Sequence, residues 1–153
     1  MPNRLAPMDP FYLVPTITML LPALVLQFTA RGFARNQIGL NSAIGIRTRY
    51  TMANETAWQA GHRAALGHLR AMYRIIYAGS IGALVLGLSL PTMFHGTSED
   101  AVNGAIGGWV LLCIAAVLYM AFRGTKVANA AAKPFEDLPD DEVPPTDQPS
   151  SRS

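Results

Sequence analysis

Three histidines, one cysteine and a pair of closely spaced arginines are the residues of this 153-residue chain with the most chemical potential. His62 and His68 would lie about 120° apart around a helix, so they cannot easily share a metal ion. His95 falls beyond the next apolar stretch. Cys113 is the only cysteine and sits inside an apolar run, which excludes an intrachain disulfide. The chain has no Gly-rich phosphate loop, no HExxH and no paired cysteines. Neither catalysis, a cofactor nor a metal is expected.

The stretch NSAIGIRTRYTMANETAW, residues 41–58, is different. Gly45 between Ile44 and Ile46 suits a tight turn, because glycine adopts backbone angles closed to other residues. Asn41 and Thr48 can bond the backbone of that turn. Arg47 could then hold a carboxylate or a lipid phosphate in a bidentate contact. Alternatively, Asn41, Arg47, Thr48 and Trp58 staple the loop to neighbouring helices. Replacing Arg47 by Lys separates the two, since a ligand site loses activity at unchanged protein level.

The elements that position this stretch are set by charge. Half of the residues are apolar and 14% are charged, about half the usual share. Residues 10–30, 75–98 and 101–122 carry no Asp, Glu, Lys or Arg. Roughly 20 apolar residues cross a bilayer as a helix, whereas a soluble bundle helix keeps a charged face. The expected fold is an all-α membrane protein with spans at about 11–30, 75–94 and 105–122. Asp9 before the first run, and Phe28 where a small residue would precede a cleavage point, argue against a cleaved signal peptide.

Residues 31–74 hold seven arginines and one acid, Glu55, whereas the connection after the second span has Glu99 and Asp100 without a cation. Positive loops stay on the cytoplasmic side. The expected topology is therefore an outside N-terminus, a cytoplasmic arginine-rich loop at 31–74 and a cytoplasmic C-terminus in the inner membrane. The membrane domain is assigned to 1–133. Residues 134–153 hold five prolines and six acids and are expected to be a disordered tail.

Thr51 or Asn54 can cap a helix that has Glu55 in its first turn and runs into the second span. At 100° per residue, Trp58, His62, Ala65, Leu69, Met72, Tyr73 and Ile76 share one face, Arg63, Arg70 and Arg74 form a stripe, and Ala60, Ala64, Gly67 and Ala71 a third face. Such an amphipathic helix can stand in the cytoplasm or bend at Gly61 or Gly67 to lie along the interface, its arginines on anionic lipid headgroups. Gly79, Ala83 and Gly87, and likewise Gly104 and Gly108, offer small faces for helix packing.

Asn41, Ile44-Gly45-Ile46-Arg47-Thr48, Thr51, Trp58, His62-Arg63 and Gly67 ahead of a span resemble the signature of the SdpI family of bacterial membrane proteins. The resemblance covers roughly residues 33–95. Its named member is an immunity protein that protects against a secreted toxic peptide and signals its presence by sequestering a transcriptional repressor at the membrane. This chain has fewer spans and an additional acidic tail. The resemblance implies a non-enzymatic membrane protein whose Asn41, Gly45, Arg47, Thr48, Thr51, Trp58, His62 and Arg63 contact a partner or lipid. The expected partners are the bilayer and a cytoplasmic regulator or membrane protein. A structural accessory subunit of a larger membrane complex is the alternative. Nucleic acid is not expected as a partner, because the arginines lie beside the membrane and the net charge is only +2.

Overall fold

The computed structural model describes residues 13–40, 43–93 and 98–138. These form three helices, α1 (Leu13–Ala34), α2 (Glu55–Met93) and α3 (Glu99–Ala132), followed by a 3₁₀ turn at Lys133–Phe135. All three helices are long and apolar enough to cross a membrane. At 39 residues, α2 is about 58 Å long, nearly twice the hydrocarbon core. It is one uninterrupted helix, and neither Gly61 nor Gly67 divides it. α3 extends ten residues beyond the expected span end at 122, reaching Ala132.

α1 stops because Asn36 takes a left-handed conformation, φ 52°. The Gln37 amide then bonds the Gly32 carbonyl at 2.9 Å and the Asn36 amide bonds the Phe33 carbonyl at 3.2 Å. This 6→1 and 5→2 pair is the Schellman termination, in which asparagine is a common substitute for glycine.

The chain divides into two compact units. The apolar unit comprises Met1–Phe28 and His68–Phe122. Within it α2 and α3 approach closely at glycine. A side chain at Gly79 would meet the Cys113 sulfur at 2.8 Å, and one at Gly82 would meet the Trp109 ring at 2.7 Å. The Trp109 indole N–H donates to the Gly79 carbonyl at 2.9 Å, which satisfies a donor that lipid could not. Ala83, Val102 and Ile106 form the core beside it. The Tyr77 hydroxyl donates to Gln27 Oε1 at 3.1 Å, so the polar residue near the end of α1 has a partner on α2. Ile81, Val85, Leu111, Leu112 and Leu118 are exposed, as lipid-facing side chains would be.

Gly79, Ala83 and Gly87 are buried as expected of a packing face. Gly104 and Gly108 are not: both are exposed, with open space where a side chain would stand. Val102, Ile106, Trp109 and Cys113 recur at helical spacing and point toward α2. Gly104 lies about 200° around the helix from Val102, which puts the glycines on the other side.

Candidate functional site: a stapled arginine loop

The second unit, Thr29–Gly67 with Arg123–Ser153, contains the signature. Its construction begins at Asn54. Asn54 Oδ1 accepts the Ala57 amide at 2.8 Å, capping α2 and fixing where the helix starts. The side-chain amide of Asn54 donates to the carbonyls of Phe135 and Leu138. One buried residue thereby starts α2 and holds the chain that follows α3. Pro134 to Leu138 thus extend the ordered chain past the expected boundary at 133, and the remainder of the acidic segment lies outside the described residues.

One turn into α2, Trp58 is fully buried. Its indole N–H donates to the Ile38 carbonyl at 3.1 Å, pulling the segment after α1 onto the helix. Glu55 adds a second tie, accepting the Leu40 amide at 3.0 Å on one oxygen and the Gln59 side chain at 3.0 Å on the other.

His62 follows Trp58 by one turn and is 1% exposed. Its ring stacks on Phe33 of α1, with centroids 4.1 Å apart and planes at 19°, and lies 4.0 Å from the Trp58 ring. The Ile46 amide donates to Nε2 at 2.7 Å, and Nδ1 faces the Trp58 carbonyl at 2.8 Å. A backbone N–H can only donate and a carbonyl can only accept, so the proton is on Nδ1 and the imidazole is neutral. Burial holds the His62 pKa below its ordinary value, opposed by the bond to the Trp58 carbonyl. His62 precedes the charge-free stretch that begins at Ile75, with three arginines between them.

Gly45 closes this cluster. It has φ 144°, in a region that side chains disfavour. A Cβ there would lie 2.6 Å from the Trp58 ring and 2.7 Å from His62 Nε2. Glycine is therefore required twice, for the turn and for the approach of the turn to the rings.

Thr51, fully buried, locks the other side of the turn. Its hydroxyl donates to the Ile46 carbonyl and accepts the Thr48 amide at 2.9 Å. The Thr48 hydroxyl in turn donates to Asn129 Oδ1 on α3. Beneath the loop the helices touch through small residues: a side chain at Gly61 would meet Thr51 at 2.9 Å and the Ala128 carbonyl at 3.1 Å. Ala57, Ala65, Ala128 and Ala132 are buried there too.

Of the signature residues, Gly45, Trp58 and His62 form one cluster, and Thr48 and Thr51 a second. Arg47 and Arg63 are exposed. Arg63 reaches Asn36 Oδ1 at 3.4 Å. Asn41 lies outside the described residues. Phe33, Asn129 and the clamp on Phe135 and Leu138 were not among the expected site residues. Phe33, an aromatic residue between Arg31 and Arg35, was the nearest thing to a signal.

Arg49 pairs with Glu136 at 2.8 Å, but the arginine side chain is 84% exposed. Arg49→Ala is therefore expected to change stability by less than ~1 kcal/mol, within error in a thermal melt of the purified protein. A larger loss would mean that the pair, and not Asn54, holds the C-terminal turn.

Among the described residues no cluster of His, Cys, Asp and Glu could hold a metal ion. The loop instead exposes Ile44 and Arg47, an aliphatic and a cationic group three residues apart in the chain.

No curated relative and no solved structure matches the chain. The model of the SdpI/YfhL protein family matches residues 37–123, more than half of the chain, from the segment after α1 into α3. The chain belongs to that family and is a multi-pass membrane protein.

Proposed function

We propose that this member of the SdpI/YfhL family is a non-enzymatic protein of the bacterial inner membrane that presents its arginine-rich loop to a partner. The role is immunity to a membrane-active toxic peptide, or signalling of its presence. The N-terminus is outside, and the loop and C-terminus are cytoplasmic, in keeping with the seven arginines of residues 31–74. The observation that carries the reading is a division of labour within one turn. Gly45 abuts the Trp58 and His62 rings, and Ile46 and Thr51 are fixed by hydrogen bonds, while Ile44 and Arg47 are exposed. A turn needed only to connect two helices has no need of an exposed isoleucine and an exposed arginine.

The partner has an acidic or phosphate group for Arg47 and an apolar contact for Ile44. A cytoplasmic regulator offers both, and an anionic lipid headgroup with its acyl chain does as well. A second reading, an accessory subunit of a larger membrane complex, draws on α3. Gly104, Gly107 and Gly108 are bare and Leu111 and Leu112 are exposed, the surface that lets another helix approach closely.

Affinity purification in mild detergent, comparing the wild type with Arg47→Ala at equal abundance, distinguishes these readings. A soluble regulator or small peptide lost from the variant supports presentation by the loop. Anionic phospholipid lost from the variant, without a protein, identifies lipid as the partner. A stoichiometric set of membrane proteins retained by both forms supports the subunit reading and sinks the first.

A further inference from the structure

His62 has a role beyond packing. Its Nε2 is the acceptor that holds the Ile46 amide, and Ile46 lies between the two outward residues Ile44 and Arg47. We infer that His62 is a proton-operated latch: protonation at Nε2 releases the turn from Gly45 to Thr51 and changes how Ile44 and Arg47 are displayed.

The geometry leaves the proton nowhere to go in the closed state. Nδ1 already carries a hydrogen directed at the Trp58 carbonyl, so a proton from solvent can only add at Nε2. There it would confront the Ile46 N–H at 2.7 Å, replacing a hydrogen bond by two opposed donors. Phe33 and Trp58 cover the ring. Their faces attract a cation weakly, but they supply no acceptor for the new N–H.

The charged groups on the surrounding elements do not favour an imidazolium either. They are Arg31 on α1, Arg35 just after it, Arg47 and Arg49 in the loop, Glu55 and Arg63 on α2, Arg123 and Lys126 on α3, and Lys133, Glu136 and Asp137 in the turn that follows. Eight of these eleven are cations; of the three acids, Glu55 is engaged with Leu40 and Gln59, and Glu136 with Arg49. Tyr50 is the remaining titratable side chain of the loop, and the ring's two hydrogen bonds go to backbone groups. The pKa of His62 is lowered by its burial, against the bond to the Trp58 carbonyl.

The sign of the effect follows. In the open state His62 is solvated and has its ordinary pKa of about 6.5. Above that pH both states hold a neutral ring and the latch is indifferent to pH. As pH falls below it, the open state takes up the proton first. The ratio of open to closed loop then rises by up to about tenfold per pH unit, until the lower pKa of the closed state is reached.

The test is amide hydrogen exchange of the full-length protein in nanodiscs of phosphatidylethanolamine and phosphatidylglycerol, from pH 7.5 to 5, corrected for intrinsic exchange chemistry. Residues 45–51 are expected to open up to about tenfold more per pH unit below 6.5, while helical peptides of the apolar unit stay flat. His62→Gln, which cannot titrate, is expected to abolish the pH dependence. Nitrogen chemical shifts of histidine-labelled wild-type protein give a reading that needs no variant. The Nδ1–H tautomer should dominate at pH 7 and vanish over the range in which the loop opens. Loop exchange independent of pH, an Nε2–H tautomer at neutral pH, or titration of His62 without loop opening would each overturn the latch. Because the measurement reads the loop itself, it stands apart from the identity of any partner.

Discussion

Gly45→Ala is expected to unlatch the loop altogether. The added methyl would stand 2.6 Å from the Trp58 ring and 2.7 Å from His62 Nε2, at a φ of 144°. Crowding of this kind costs about 1–3 kcal/mol and the backbone conformation a similar amount, roughly 2–6 kcal/mol together. The structure cannot yield cheaply, since Trp58 is pinned by Ile38 and His62 by the Trp58 carbonyl. The turn must leave its seat. Arg47 and Arg49 are exposed trypsin sites within it, which supplies the measurement. Cleavage after these arginines under native conditions should accelerate by more than about tenfold, because proteolysis follows the open population. An unchanged rate would show that the turn is not held by the ring cluster.

The second large effect belongs to Trp58→Ala. Trp58 is among the largest side chains that are fully buried, and truncation of a buried aromatic costs about 3–5 kcal/mol. It also frees the Ile38 carbonyl and uncovers one face of His62. Trp58→Phe separates these contributions, because it keeps most of the ring packing and loses only the indole donor. That change should cost about 1–3 kcal/mol, according to how well the Ile38 carbonyl finds water. Thermal unfolding of both variants in the same detergent checks the order. A Trp58→Phe variant as damaged as Trp58→Ala would mean that the bond to Ile38, and not the packing, holds the segment between α1 and the turn.

Much of this architecture is written in local pattern. Three charge-free stretches announce the apolar helices, and Asn54 followed by Glu55 marks where α2 begins. The 3.6-residue period placed Trp58, His62, Ala65, Leu69, Met72, Tyr73 and Ile76 on one face; Trp58, His62, Ala65 and Ile76 are buried, and Leu69, Met72 and Tyr73 are half-buried. The arginine stripe at 63, 70 and 74 is exposed. Contacts between distant residues left no such trace. Phe33 meets His62 only because α1 ends where Asn36 turns the chain back, and Thr48 finds Asn129 across 81 residues. Small residues misled for a related reason. Glycine permits close approach but does not compel it, so spacing alone could not distinguish Gly79, which meets Cys113, from Gly104, which meets nothing.

The clamp between Asn54 and the carbonyls of Phe135 and Leu138 spans 81 and 84 residues of chain. In biosynthesis this separation becomes a delay. At about 5–20 residues per second, the ribosome needs roughly 4–16 seconds to progress from Asn54 to Phe135. Throughout that interval the loop lacks both the clamp and the Asn129 acceptor for Thr48. The contacts of Thr48 and Asn54 therefore close last, after the third helix is in place, whereas the ring cluster around His62 needs nothing beyond residue 62. A chain whose third helix is missing lacks these two ties, so the contacts of Thr48 and Asn54 also mark whether the molecule has been completed.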